Sequence, residues 1–289
     1  MGDPAVSVSD VRKRYGDLWA LDGTSFHVDF GECFALLGPN GAGKTTVTEI
    51  LEGYRGRDSG SAQVLGRDPA DGDRAWRAQL GIVLQSDRDL GDLTVAEAVH
   101  HFAGYYPDPR DPDEVIAAVG LTEKRSARNE KLSGGQRRRL DVALGIIGRP
   151  RVLFLDEPTT GFDPEARREF WTLIDGLKAE GTTILLTTHY LEEAQHLADR
   201  VAVIAAGRVL ACDTPDRLGG RERSSARVSW REDGIRVESQ TMDPTRVVIE
   251  LAGRFDGEIP GLEVHRETLE DVYLSMLQDE GNAEAGDAI

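Results

Sequence analysis

The chain has 289 residues, of which 39% are hydrophobic and 29% charged, a composition typical of a folded globular protein and not of a disordered one. Its net charge of −17 would repel a phosphate backbone, so we expect no nucleic-acid partner. The longest wholly apolar run, Val201 to Ala206, is far shorter than the roughly 18 residues that a membrane-spanning helix needs. Cys33 and Cys212 form no Cys-x-x-Cys pattern, so we expect two reduced core thiols in a cytoplasmic protein.

The first predicted elements alternate apolar and polar residues, as half-buried antiparallel strands do. This pattern covers residues 5–11 and 24–30, and residues 32–37 then form a buried strand that ends in a glycine-rich loop. Three further buried strands, separated by helical segments, are predicted at residues 152–155, 183–187 and 201–205. Strands that alternate with helices imply a largely parallel sheet covered on both faces.

Two other parts of the chain differ in character from this alternation. Thr94 and Glu97 have capping-box spacing, and the helical pattern that follows predicts an inserted helical subdomain over about residues 86–148. After residue 220 the pattern changes to short strand-like stretches at residues 226–230 and 246–251 and a final helix near residues 268–277. We therefore predict a first domain over residues 1–220 and a small α/β domain with an acidic tail over residues 221–289.

The glycine-rich loop is the strongest single motif, because residues 38–45 match G-x-x-x-x-G-K-[ST], the P-loop. In such a loop the backbone N–H groups point at phosphate oxygens, and the next helix offers its positive end. Lys44 would reach the β- and γ-phosphates of a nucleotide, and the Thr45 hydroxyl would bind Mg²⁺. The predicted nucleotide-binding residues of this segment are Gly38, Asn40, Gly41, Ala42, Gly43, Lys44, Thr45 and Thr46.

A second motif ends the predicted strand at residues 152–155, which delivers Asp156 and Glu157. In a P-loop enzyme the first carboxylate would hold Mg²⁺, and the second would orient and deprotonate the attacking water. The alternative is a polar strand end that leads into a turn at Pro158, an interpretation that a P-loop in the same chain disfavours.

Residues 132–136, with the sequence LSGGQ, stand before a predicted helix. Ser133 and Gln136 have capping-box spacing, but two glycines at a helix start are costly unless something must approach the backbone closely. LSGGQ is the signature of the ATP-binding cassette (ABC) family, and over roughly residues 5–218 the sequence resembles the nucleotide-binding subunit of an ABC transporter. The resemblance implies an α/β P-loop NTPase with an antiparallel β subdomain and an inserted helical subdomain, which the small C-terminal α/β domain would follow.

The resemblance also implies roles for four residues outside the P-loop. Tyr15 would stack on adenine, and Gln85 would contact Mg²⁺ near the γ-phosphate. Asp163 matches the loop that crosses the dimer interface, and His189 matches the switch histidine that senses the γ-phosphate. The alternative for each of three residues is a structural role. Tyr15 would then be a half-buried aromatic side chain, Gln85 a surface amide and Asp163 a helix N-cap.

In this family the signature of one subunit covers the ATP held by the P-loop of another. Ser133 and Gly135 would therefore contact the γ-phosphate of ATP bound to a second copy. The resemblance implies a homodimer, ATP and Mg²⁺ as cofactors, and ATP hydrolysis in which Lys44, Glu157 and His189 are the catalytic residues.

Residues 157–164, 188–194 and 269–274 resemble ABC-2 type exporters of drugs, antibiotics or lipids. That resemblance implies a separately encoded membrane-spanning permease subunit and a location on the inner face of the cell membrane. The alternative is a soluble ABC ATPase without a transport role. The cargo stays open, and the C-terminal domain has three candidate roles: a dimer contact, a regulatory element or a dock for the permease.

Overall fold

The computed structural model describes residues 2–83, 90–223, 225–255 and 257–287, and the chain divides into two compact units, residues 1–212 and 213–289. Residues 213–220, which the sequence analysis assigns to the first domain, belong to the second unit. Packing explains this assignment. Leu218 is fully buried, and a Cβ on Gly219 would lie 2.3 Å from a methyl carbon of Val272, so these residues fit closely against that unit.

The first unit contains nine strands and seven helices among its described residues. Its strands are β1 (Val6–Tyr15), β2 (Leu18–Val28), β3 (Cys33–Leu37), β4 (Ser59–Val64), β5 (Leu80–Val83), β6 (Val152–Asp156), β7 (Thr183–Thr188), β8 (Arg200–Ala205) and β9 (Arg208–Asp213). Its helices are α1 (Lys44–Leu51), α2 (Arg74–Arg77), α3 (Val95–Ala103), α4 (Pro112–Ala118), α5 (Gly134–Ile146), α6 (Pro164–Ala179) and α7 (Leu191–Leu197).

The strands of this unit form two sheets. Strands β2, β1 and β4 make an antiparallel sheet, and Val6 and Val8 of β1 are buried, as the alternating pattern predicts. A register shift between Val8 and Val11 interrupts the alternation, and Val11 is buried as well. The larger sheet has the order β5-β6-β7-β3-β8-β9, and the pairs from β5 to β8 are parallel. β9 joins the edge after the two-residue turn Ala206-Gly207, in which both residues have positive φ, as a type I′ hairpin requires.

Strand register in the parallel sheet brings three chain segments together. Leu37, the last residue of β3, pairs with Thr188, and Asp156, the last residue of β6, pairs with Thr187. The loops that follow β3, β6 and β7 therefore leave the sheet at the same edge. The carboxyl ends of parallel strands are the usual place for a ligand in an open α/β sheet.

The helices between β5 and β6 occupy the part of the sequence where a helical insertion is predicted. In the described residues this stretch contains α3, α4 and α5, with short 3₁₀ turns at Thr122–Lys124 and Asn129–Lys131. Thr94 caps α3 through a complete capping box with Glu97, as its spacing predicts.

The second unit is a small α/β structure. Its elements are a 3₁₀ segment (Leu218–Arg223), β10 (Ala226–Glu232), β11 (Ile235–Thr241), α8 (Pro244–Ala252), β12 (Glu263–His265) and α9 (Leu269–Asp287). The predicted strand at residues 246–251 is wrong, because Asp243 caps a helix there and Pro244 begins it. The strands form an antiparallel sheet of order β11-β10-β12, and Val228, Trp230, Leu251 and Ile259 form its core. None of the helices in the described residues of either unit is long and apolar enough to span a bilayer.

Candidate nucleotide-binding site

The P-loop connects β3 to α1 and has a backbone that other residues could not adopt easily. Gly41 and Gly43 have φ values of 82° and 102°, in the region that favours glycine. A Cβ on Gly43 would also lie 2.5 Å from the carbonyl oxygen of Ala20, and one on Gly38 would lie 2.2 Å from that of Ile204. Conformation therefore requires glycine at position 41, space requires it at position 38, and both require it at position 43.

The first turn of α1 fits an anionic ligand. Within the described residues no side chain caps this helix, whereas Ser133 caps α5 and Asp163 caps α6. The N-terminal amide groups of α1 thus keep their capacity to bind an anion, and the helix dipole favours negative charge there. Thr45 is exposed in this turn and Thr46 is partly exposed.

Lys44 is buried at the start of α1, with only 5% of its surface exposed. Its ammonium group donates hydrogen bonds to the carbonyl oxygens of Gly38 (2.8 Å) and Pro39 (3.0 Å). The same Nζ atom lies 3.5 Å from Oε1 of Glu157. The P-loop therefore holds Lys44 beside the carboxylate of Glu157.

The Asp156 carboxylate is buried and connects three elements. Thr45 of α1 donates its hydroxyl to Oδ2 of Asp156 at 3.2 Å, and Thr187 of β7 donates its hydroxyl to Oδ1. Each oxygen of this carboxylate therefore accepts a hydrogen bond from a neighbouring hydroxyl group. A hydroxyl and a carboxylate oxygen at this distance form an all-oxygen donor set of the type that Mg²⁺ prefers.

Glu157 stands at the point where the chain leaves β6, and its backbone is unusual. Its φ is +45°, a left-handed conformation that costs a non-glycine residue about 1–3 kcal/mol. The N–H group of Glu157 donates to the hydroxyl and the carbonyl oxygen of Thr187, both at 3.1 Å. Oε2 of Glu157 lies 3.3 Å from Nδ1 of His189, so this carboxylate has the lysine on one side and the histidine on the other.

The residues around this cluster include one buried acid that the sequence analysis did not single out. Glu193 of α7 has no exposed surface, and this burial raises the pKa of its carboxyl. The hydroxyls of Thr188 and Thr159 and the charge of Arg167 oppose the shift in the pKa of Glu193. α7 thus places a carboxyl that resists ionisation next to Thr188, the residue that precedes His189.

Tyr15 lies at the end of β1 with 40% of its surface exposed. The guanidinium of Arg55 lies 5.3 Å from its ring centroid, and the ammonium of Lys13 lies 5.6 Å from it. The ring is therefore accessible to a planar ligand and is accompanied by two cations. Arg55 is 40 positions away in sequence, and Lys13 lies two residues before Tyr15 on β1, so no motif identified either cation.

Ser133 and Asp163 both act as helix caps in the structure. Ser133 accepts the N–H of Gln136 at 3.3 Å, and the Gln136 side chain accepts the N–H of Ser133 at 3.1 Å. Asp163 accepts the N–H of Ala166 at 2.8 Å. Ser133 and Gly134 are exposed, so the cap leaves the start of α5 accessible.

The structure thus brings together Lys44, Thr45, Asp156, Glu157 and His189, five of the predicted site residues. Gln85 lies outside the described residues. The role of Thr187, which bridges Asp156 and Glu157, was missed by sequence reasoning because it depends on the register between β6 and β7. A P-loop, an adjoining pair of carboxylates and a histidine at one sheet edge define a P-loop ATPase.

Comparison with known proteins shows which family of P-loop ATPases the chain is similar to. A family model described as ABC transporter matches residues 21–160. The Nod factor export ATP-binding protein I of Ralstonia nicotianae is 40% identical, with 94% of each chain covered. The daunorubicin resistance ATP-binding protein DrrA3 of Streptomyces coeruleorubidus is 43% identical, with 75% of this chain and 71% of that protein covered.

Solved structures show the same fold. A structure described as the ATP-binding subunit of an ABC transporter matches with a TM-score of 0.70 at 23% identity, and the match covers 94% of this chain and 99% of that one. A bacterial ABC transporter cassette solved as a dimer matches with a TM-score of 0.65 at 22% identity, over 72% and 98% of the two chains. The predicted ABC ATPase fold is confirmed.

The chain belongs to the family of ABC transporter ATP-binding subunits. It is an ATP-binding, ATP-hydrolysing subunit, and the predicted enzyme class is confirmed.

Proposed function

We propose that this subunit powers an ABC-2 type exporter whose membrane-spanning permease is a separate polypeptide. The names of the two relatives, which refer to Nod factor export and to daunorubicin resistance, support this class of transporter. On this proposal the subunit works at the cytoplasmic face of the membrane, where the permease would hold it. The soluble ABC ATPase without a transport role is the less favoured alternative.

The observation that carries the proposal is the arrangement around Glu157. Its carboxylate lies between Lys44, which the P-loop would hold beside the phosphates of a bound nucleotide, and His189. We assign Glu157 as the general base that orients and deprotonates the attacking water, a role that contributes about 10²–10⁴ in rate. Lys44 would stabilise the charge that develops on the transferred phosphate, and His189 would sense the γ-phosphate from the opposite side.

Mg²⁺ fits the donor set next to this base. The hydroxyl of Thr45 and the carboxylate of Asp156 supply two hard oxygens 3.2 Å apart, and Gln85 would add an amide oxygen. In the described part of the chain no group of three or more His, Cys, Asp or Glu side chains forms a complete metal site. Phosphate oxygens and water would therefore complete the shell, and the bound ion would neutralise phosphate charge.

A second copy of the chain would complete each active site. The exposed start of α5 offers Ser133 and Gly135 to the γ-phosphate of ATP held by the partner, and Asp163 would line the same interface. The dimeric structure of the related cassette supports this assembly. ATP would join the two copies, and hydrolysis would release them, because only the closed dimer contacts the triphosphate from both sides.

Glu157→Gln tests these assignments, because glutamine keeps the shape of the side chain and removes its charge. We expect turnover to fall by about 10²–10⁴, while ATP binding persists and an ATP-dependent dimer accumulates on size-exclusion chromatography. Glu192→Gln is the matched control, since the side chain of Glu192 is 79% exposed on α7. Wild-type hydrolysis by Glu157→Gln would remove Glu157 from the role of base.

The transport role needs a separate test. The tagged protein, expressed in its natural host and purified from detergent-solubilised membranes, should carry a polytopic membrane protein in a defined ratio. That complex should hydrolyse ATP, and Glu157→Gln should abolish its activity. Recovery of all the protein in a soluble assembly without a permease would favour the alternative function.

A further inference from the structure

The signature helix α5 contacts the catalytic loop through one side chain that is not part of the predicted site. Arg138 is 7% exposed, five residues after Ser133. Its Nε donates to the carbonyl oxygen of Pro158 at 3.1 Å, and its Nη2 donates to the carbonyl oxygen of Asp156 at 2.5 Å. The guanidinium thus binds the two backbone carbonyls that flank Glu157.

The hydrogen bonds of Arg138 restrain the backbone on both sides of Glu157. Glu157 has a φ of +45°, and a strained conformation of this kind persists only where the surroundings over-determine it. Thr187 holds the N–H side of Glu157 from β7, and Arg138 holds the carbonyls before and after it from α5. The planar fork of arginine suits two acceptors at once, a geometry that lysine cannot reproduce.

We propose that Arg138 is a positioning residue for ATP hydrolysis, which holds Glu157 in its strained conformation and ties the signature helix to the catalytic loop of the same chain. The inference rests on the proposed role of Glu157 as the base. Each subunit then carries, on one helix, the signature that contacts its partner's ATP and the arginine that sets its own base. Closure of one active site is thereby coupled to the geometry of the other.

Arg138→Gln in the purified protein is the first test. We expect kcat to fall by about 10- to 100-fold, the range for loss of hydrogen bonds from a charged group. The affinity for ATP should stay unchanged, because the P-loop is untouched. Arg138→Lys keeps the charge and one hydrogen bond and should retain an intermediate kcat. Arg139→Gln is the matched control, since the Arg139 side chain, which is 16% exposed, pairs with Glu169 of α6 and should keep wild-type turnover.

A mixed dimer decides which active site Arg138 serves. Two differently tagged chains are co-purified, and Lys44→Ala in one chain leaves a single active site, built from the other chain's P-loop and the variant chain's signature. Arg138→Gln should lower turnover when it is on the chain with the intact Lys44. A loss only when it is on the chain with Lys44→Ala, or an equal loss in both arrangements, overturns the proposal.

Two outcomes separate this inference from the proposed function. Active Glu157→Gln protein refutes the role of Glu157 and leaves Arg138 without a base to position. Inactive Glu157→Gln protein together with wild-type kcat in Arg138→Gln refutes the inference alone. The ATP-trapped dimer should still form in the Glu157→Gln, Arg138→Gln double variant, and a fold damaged by loss of Arg138 would fail that test.

Discussion

Thr187→Val isolates one hydroxyl group that the structure places between the two carboxylate residues of the site. That hydroxyl donates to Oδ1 of Asp156 and accepts the N–H of Glu157 at 3.1 Å. Valine keeps the branched shape of the side chain, and the backbone bond from Glu157 to the Thr187 carbonyl remains. The variant therefore removes the polar contacts with little change in packing.

The magnitude follows from the burial of Asp156, which is 5% exposed, so water replaces the lost donor poorly. A hydrogen bond to a charged group is worth about 1.5–3 kcal/mol. If the transition state loses the whole free energy of this hydrogen bond, kcat falls by about 10- to 150-fold, since each 1.36 kcal/mol of activation free energy changes the rate tenfold. The free energy of unfolding should fall by about 1–3 kcal/mol as well.

Thr183→Val is the control for the general cost of losing a buried hydroxyl. Thr183 is fully buried on the same strand, and its hydroxyl accepts the N–H of Gly31 at 3.0 Å, at the opposite end of β7. Both variants should lose stability in urea unfolding, but only Thr187→Val should lose kcat at saturating ATP. Equal turnover in the two variants would show that the hydroxyl of Thr187 does not serve the active site.

Two other side chains give predictions that do not involve catalysis. The prediction that Cys212 is a core thiol is wrong, because this residue lies on the edge strand β9 and is exposed. Burial raises the pKa of the Cys33 thiol to about 12. A maleimide should therefore label Cys212 in the native protein and Cys33 only after unfolding, as mass spectrometry of the digested protein would report. Burial also raises the pKa of Glu193, so the folded state keeps a proton that the unfolded chain loses as the pH rises past the ordinary glutamate value. The wild type should therefore lose stability with rising pH relative to Glu193→Gln, and a Tm difference that is constant from pH 4 to 8 would contradict this.

Sequence reasoning worked where the chemistry is local. The P-loop needs glycines at fixed offsets, and the structure shows the positive φ and the close approaches that require them. The place of Asp156 and Glu157 at the carboxyl end of β6 could be predicted, because the apolar run that precedes them marks a buried strand. The capping box at Ser133 followed from spacing alone, and the structure contains it.

The missed residues share one property, which is that their partners are distant in sequence. Thr187 acts through strand pairing with a residue 31 positions away, and Arg138 acts through carbonyl groups about 20 positions away. Backbone carbonyls carry no sequence signal, so no motif predicts an arginine that binds them. The division between the two units lies eight residues before the predicted domain boundary for a similar reason, because the packing of Gly219 against Val272 is invisible before the fold is known.

The backbone of Glu157 explains why this loop has restraints from two sides. A left-handed glutamate relaxes to an ordinary conformation unless both of its neighbouring peptide groups are held, and such relaxation would move the carboxylate away from Lys44. β7 holds one side and continues into His189, whereas α5 holds the other and begins at the signature. Restraints that act on one strained residue cannot be independent, so the losses of kcat in Thr187→Val and Arg138→Gln should not add in the double variant. Residues in one network typically show coupling of about 0.5–3 kcal/mol. Strict additivity would mean that the two contacts stabilise separate parts of the site.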